Sequence, residues 1–260
     1  MSKTSSMGRG MMAIIAVGER HAEGHDGGTV AEVAARLEKD RSQVSRSLKG
    51  ALQEGFLARS GDRAYRLDWS FLTDAQLVTE QRLRTDGLTA LEGLATETNE
   101  ACFLGVLSGN STVTIAEHVP ANADLVGSWL GRPYPAYCSD AGQALLWDAP
   151  DDEIRRIFQN VDFVRHGPNT PASVDEFVGR LEEARTRGYS IVDEEAEPGL
   201  YSLSAPIRDF KGEVAAALQI VGPKSRLEPL RESHALALNS WRDWLEARVG
   251  GTASDPTAAS

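Results

Sequence analysis

The chain has 260 residues, of which 41% are hydrophobic and 25% charged. That balance excludes a disordered polypeptide and leaves room for one large or two small domains. The net charge of −11 means that, taken as one body, the chain should repel nucleic acid and acidic membranes.

Two cysteines, Cys102 and Cys138, cannot form a disulfide framework, and both are expected to be reduced and buried. No apolar run approaches the ~18 to 20 residues of a spanning helix. Met11 to Val17 is too short, is followed at once by Glu19, Arg20 and His21, and lacks a signal-type cleavage site. A soluble, cytoplasmic protein with no membrane partner is expected. The charge is unevenly spread, +2 over residues 1–70 and −13 over residues 71–260. Two modules with different partners would produce this split, but so small a basic surplus can also carry no meaning, and pattern has to decide.

Gly10 to Arg20 reads as a helix, with Met11, Met12, Ile14, Ile15 and Val17 near the spacing of a packed face; the polar stretch Glu23 to Gly28 is a loop. Thr29 with Glu32 has the reciprocal N-cap spacing and starts a second helix, with Val30, Val33, Ala34 and Leu37 on one face. Asp40 with Gln43 repeats that pattern for a third helix to about Glu54, with Val44, Leu48, Ala51 and Leu52 inward. Two short capped helices joined by a tight turn form a helix-turn-helix. Arg41, Ser42, Gln43, Ser45, Arg46 and Lys49 are left on the exposed side, a set suited to base edges and phosphates. Phe56 to Arg59, the turn Ser60-Gly61-Asp62 and Arg63 to Leu67 then read as a hairpin carrying Arg59, Arg63 and Arg66. We count Thr29 and Arg63 with the candidate DNA contacts.

The segment Ala31 to Leu67, AEVAARLEKDRSQVSRSLKGALQEGFLARSGDRAYRL, resembles the winged helix-turn-helix of the IclR family of bacterial transcriptional regulators. The resemblance makes Arg41 to Lys49 the recognition helix.

Ser70 to Asp86 reads as a linker helix that continues to Thr98 with Leu88, Leu91 and Leu94 inward. Ala101 to Leu107 and Thr112 to His118 form a hairpin about Ser108-Gly109-Asn110, and Ala121 to Tyr137 a long loop. Helices are expected at Ser139 to Trp147, capped at Ser139, at Asp151 to Gln159, and from Ser173 to the left-handed stop Gly188. Strands at Tyr189 to Glu194, Leu200 to Arg208 and Glu213 to Val221 precede a long helix from Ser225 to Val249. The tail is small, polar and expected to be disordered. An antiparallel set of strands with inserted helices is an α+β arrangement.

DEEAEPGLYSLSAPIR (Asp193 to Arg208), KGEVAAALQIVGP (Lys211 to Pro223) and, more loosely, SDAGQALL (Ser139 to Leu146) resemble the IclR effector domain, a relative of GAF sensor domains. The resemblance implies four regions: a winged helix-turn-helix over 1–69, a linker helix over 70–86, a GAF-like effector-binding domain over 87–250 and a tail over 251–260. It implies pocket polar groups at Asp193, Ser202 and Gln219 and a lid containing Leu130, Gly131 and Tyr134. The family often has Cys or Ser where this chain has Ser202, and Ser where it has Gln219, so the effector is expected to be small or to need an amide contact. Cys102 is read as core.

A phosphate-binding loop is missing, since Gly127 to Pro133 lacks the required Lys followed by Ser/Thr. His21 and His25 are four apart, but no Cys-x-x-Cys pair accompanies them, and neither metal nor cofactor is expected. Cys138 and Ser139 sit in no nucleophile elbow, and the chain is read as no enzyme and as having no catalytic residue. The reading is a dimeric or tetrameric regulator, whether repressor or activator being open, that binds a double-stranded DNA operator under control of a small organic or aromatic acid. Its rivals are a ligand-independent architectural or protein-interaction module and a degenerate hydrolase using Cys138 or Ser139.

Overall fold

A computed structural model describes residues 5–22, 25, 27–61, 63–121, 123 and 128–250. The expected disordered tail, Asp62 of the wing turn and part of the Ala121 to Tyr137 loop lie outside the described residues. The fold is α+β, and the chain divides into two compact units, one ending at Val78 and one starting at Thr79.

The first unit contains α1 (Ser6–Ala22), α2 (Val30–Arg36) and α3 (Arg41–Gln53), followed by a hairpin of β2 (Leu57–Ser60) and β3 (Ala64–Leu67). A two-residue strand, β1 (Gly28–Thr29), pairs with β3, giving the sheet order β1-β3-β2. The helix starts follow from their caps. The Thr29 hydroxyl accepts from the Glu32 amide at 3.4 Å while the Glu32 carboxylate accepts from the Thr29 amide at 2.8 Å. Asp40 accepts from the amides of Ser42 and Gln43 at 2.8 and 3.3 Å. Both arrangements satisfy donors that a helix N-terminus leaves open.

Ala13, Ile14, Ala16 and Val17 of α1 pack with Val33, Val44, Leu48, Leu57 and Tyr65. Met11, Met12 and Ile15, expected on that face, are exposed instead. Ala13 and Ala16, buried with Ile14 and Val17, define the packed stripe instead. Gly27 has φ +86°, and a Cβ there would lie 2.1 Å from the Tyr65 carbonyl oxygen, so only glycine fits where the loop backs onto β3.

Helix α4 (Trp69–Thr98) spans the division between the units as one element. In the second unit β4 (Ala101–Ser108), β5 (Ser111–His118), β6 (Pro133–Pro135), β7 (Ser190–Asp193), β8 (Leu200–Arg208) and β9 (Val214–Pro223) form one antiparallel sheet, ordered β6-β5-β4-β9-β8-β7. Its strands alternate between two faces. Leu104, Leu203, Leu218 and Ile220 pack on one side with Leu91 and Leu94 of α4 and Leu238 and Leu245 of α9 (Arg231–Val249). On the opposite side Ala217 meets Ala141, Ala144 and Leu145 around α5 (Gly142–Leu145). Tyr137 and Leu146 join Ile154 of α6 (Asp151–Ile157) and Phe177 and Leu181 of α7 (Val174–Arg187) in a separate cluster. Helices α4 and α9 approach closely at Gly93, where a Cβ would come within 2.1 Å of the Trp241 ring.

Several expectations need correction. Ser139 caps no helix: α5 starts only at Gly142, and its N-cap Ala141 has no side-chain bond to offer. The long terminal helix is divided into α8 (Lys224–Leu227), a 3-10 turn at Glu228–Leu230 and α9, because Pro229 supplies no backbone donor. Leu88, read as inward, is exposed. Among the described residues no helix is long and apolar enough to cross a membrane, and no cluster of three or more His, Cys, Asp or Glu could hold a metal.

Candidate functional site

The first unit presents a polar and cationic surface on α3. Val44, Leu48 and Ala51 are buried, which turns Arg41, Ser42, Arg46 and Lys49 outward and leaves Gln43 and Ser45 partly exposed. The helix start is fixed by Asp40. The Ser42 hydroxyl and the Ser42 and Gln43 amides hold its carboxyl below the usual range, so it stays ionised as a cap. Arg46 Nε donates to the Ser42 carbonyl at 3.3 Å, and Arg63 stands exposed beyond the wing turn. Arg59 lies 4.2 Å over the Tyr65 ring. Thr29 is half-buried and its hydroxyl donates to Glu32 at 2.8 Å, so that group is already committed to the cap. Exposed guanidinium, ammonium, amide and hydroxyl groups on one helix face are the donors and acceptors that phosphates and base edges need.

The second unit holds a cavity of about 460 Å³. Six stretches converge on it: Phe103 and Gly105 of β4, Thr112 and Thr114 of β5, Trp129 and Arg132 with Tyr134 of β6, the turn Ser139-Asp140, Ala196 to Leu200, and Gln219 and Val221 of β9. Strand register explains the selection, since Phe103 faces Gln219 and Ala101 faces Val221 across β4 and β9. The missing side chain of Gly105 gives Gln219 its room, because a Cβ there would sit 2.9 Å from Gln219 Nε2.

The electrostatics of the cavity are set by burial. Asp140 is raised to about 6 by desolvation, opposed by the Ser202 hydroxyl. Its Oδ1 is sealed from solvent and accepts no hydrogen bond from the chain; Ser139 Oγ is likewise unpartnered. Beside the cavity Glu195 is raised to about 7 by burial, against the pull of Arg180, whose Nη1 lies 2.7 Å from it. Tyr134 donates to the Ala196 carbonyl at 3.0 Å, tying two wall segments together, and burial pushes its phenol up. Burial, with Glu195 and Asp140 nearby, drives the Cys138 thiol up to about 12, which makes it a poor nucleophile. The arrangement can bind and orient a small molecule; among the described residues no side chain in it is activated for covalent chemistry.

Of the residues expected around the pocket, the structure brings Tyr134 and Gln219 to the wall. Ser202 shares the cavity face, since its partner across the sheet is Val221, but it is fully buried behind the lining. Asp193 is paired with Tyr201, which belongs to the opposite, helix-covered face, and its carboxylate meets Lys224 Nζ at 2.6 Å. Asp193 is therefore off the cavity, by strand parity. Leu130 and Gly131 are also off the lining: Leu130 forms a parallel bridge with Thr114, and Gly131 donates to the Thr114 carbonyl at 2.8 Å. Their neighbours Trp129 and Arg132 line it instead. Cys102 is fully buried in the core shared with α4 and α9. Sequence reasoning missed Asp140, Arg132 and Glu197. Asp140 alone carried a signal, as an acid within the small apolar stretch from Ala136 to Leu146.

The family described as "Bacterial transcriptional regulator IclR C-terminal" matches residues 75–243. The Pca regulon regulatory protein of Pseudomonas putida is 28% identical over 244 residues, covering 92% of this chain and 82% of that protein. The crystal structure of the C-terminal domain of the E. coli transcriptional regulator KdgR is similar with TM-score 0.57 and 29% identity, covering 65% of this chain and 98% of that one. An IclR homologue from Microbacterium hydrocarbonoxydans, crystallised with 4-hydroxybenzoate, has TM-score 0.60 at 22% identity over 93% of this chain and 99% of its own. At that identity the likeness concerns the fold. These relatives are named as regulators, not as enzymes.

Proposed function

The chain belongs to the IclR family of bacterial transcriptional regulators, and on that premise we propose that it binds a double-stranded DNA operator with an affinity set by a small-molecule effector. In this reading residues 1–69 are the DNA-binding domain, 70–86 a linker helix and 87–250 the effector domain. Arg41, Ser42, Gln43, Ser45, Arg46 and Lys49 would enter the major groove, while Arg63 and the Thr29 end of α2 meet the backbone. The observation that carries the reading is the outward cationic face of α3, capped at Asp40 and followed by a wing.

The effector is a small organic or aromatic acid held in the cavity of the second unit; the 4-hydroxybenzoate found in the Microbacterium homologue supports that class. We place the protein in the cytoplasm, as a homodimer or homotetramer on a pseudo-palindromic operator with half-sites about one helical turn or a multiple apart. The effector acts only through unequal affinity for two states of the regulator.

Fluorescence anisotropy with the DNA flanking the protein's own gene tests this. Arg46→Ala and Lys49→Ala should each weaken binding and reduce the salt slope by about 1. A protein-interaction module would leave affinity and slope unchanged by either substitution. Unchanged operator affinity across a broad panel of organic acids would refute effector control.

A further inference from the structure

The cavity has two chemically different ends. Arg132 and Glu197 stand at its exposed mouth, while Gln219 and Ser139, each 5% exposed, lie at its floor with the sealed Oδ1 of Asp140. Between them the wall is aromatic, with the rings of Trp129 and Tyr134 edge-on at 5.9 Å. Arg132 is the one cation among the described lining residues.

An ionised carboxylate can only accept hydrogen bonds, and a buried acceptor left without a donor costs free energy. A ligand carboxylate turned toward the floor would face Asp140 with no cation to offset the repulsion. Turned toward the mouth, it meets Arg132, a cation that offsets the charge of Glu197 there, whereas the floor has none. We infer that the cavity selects flat acids that direct the carboxylate outward to Arg132 and a hydroxyl or amino donor inward to Asp140, making Asp140 the specificity-determining residue. This deepens the effector reading above and rests on it. With the Asp140 carboxyl raised only to about 6, the group is mainly ionised at neutral pH, and beyond the Ser202 hydroxyl that acts on it Oδ1 has room for a further donor. A site built around such a bond rejects an analogue that lacks it more strongly than an apolar pocket rejects a missing methylene.

Calorimetry on the full chain at pH 7.5 with 4-hydroxybenzoate, 4-aminobenzoate and 4-methylbenzoate, probes of nearly equal size, tests the inference. The first two should bind at least tenfold more tightly than the third, and Asp140→Ala should bring all three within threefold of one another. The wild-type ranking needs no variant, so a folding defect in Asp140→Ala does not remove the test. Equal binding of the three, or a tenfold preference that survives in folded Asp140→Ala, overturns the role of Asp140 and leaves effector control standing. No binding of any probe at millimolar concentration overturns this inference together with the aromatic-acid reading, while operator binding remains separately measured.

Discussion

Replacing Gly93 by alanine sets two effects of opposite sign against each other. In an exposed helix interior the change stabilises by about 1 kcal/mol, because glycine loses the most backbone freedom on folding. Here the new methyl would lie 2.1 and 2.2 Å from Cζ2 and Cη2 of Trp241, where ~3.5 to 4.0 Å is the comfortable separation between carbon atoms. The indole cannot yield cheaply. Its N–H donates to Glu97 Oε2 at 3.0 Å, and its other neighbour is the Trp244 ring, 5.5 Å away centre to centre. Either α9 moves outward, or the ring swings and loses a hydrogen bond worth about 1 kcal/mol as well as its packing. Overpacking of this kind costs ~1 to 3 kcal/mol or more. After the helix gain, a net loss of about 2 kcal/mol is expected, read as a lower urea midpoint by tryptophan fluorescence. In a Trp241→Ala background the obstacle is gone and Gly93→Ala should raise the midpoint. A higher midpoint in the otherwise unaltered chain, or an equal loss in both backgrounds, would refute the reasoning.

Gly27→Ala forces a side chain onto a positive φ and into the Tyr65 carbonyl; a loss of about 2 kcal/mol or more is expected in the first unit. Hydrogen exchange should quicken over α2, α3 and the wing while β4 to β9 keep their protection. Glu195 is raised from its ordinary value to about 7, so between about pH 4.5 and 7 the folded chain binds more protons than the unfolded one, and stability falls as pH rises through that window. Glu195→Gln should remove this contribution, flattening the difference in melting temperature between pH 5 and pH 8; curves that stay parallel would exclude it. Gly105→Ala puts a methyl 2.9 Å from the free end of Gln219, an obstacle a flexible amide avoids by rotating. Its melting temperature should stay within about 2 °C of the unaltered chain, a change of no more than about 0.5 to 1 kcal/mol. Binding of 4-hydroxybenzoate by calorimetry should change at least threefold, and unchanged affinity would remove Gln219 from ligand contact.

Local chemistry made much of the fold legible. Thr29, Asp40 and Ser173 start helices where their side chains can reach open amides, and Gly188 ends one at φ +91°. Strand β8 runs from Leu200 to Arg208 as its apolar content and flanking turns require. What failed depended on partners far along the chain. The strand β6 begins and ends in proline, which reads as a loop until β5 is alongside. Asp193 could be assigned to a strand, but not to a face, without knowing that Tyr201 is opposite. The cavity wall was the least legible part. Arg132, Asp140 and Glu197 line one cavity only because separate loops fold over the same sheet, and no periodicity within one segment records such a meeting.

The two-sidedness of β9 has a consequence for descent. Ala216, Leu218 and Ile220 are committed to the helix-covered interior, whereas Gln219 and Val221, interleaved with them, form wall. Substitution at the second set can retune what the protein senses without disturbing the contacts that keep it folded. Loss or gain of a single residue upstream in the strand would exchange the two sets at once. Lineages of this architecture should therefore diversify their chemical input by point replacement and tolerate length changes only in the connecting loops.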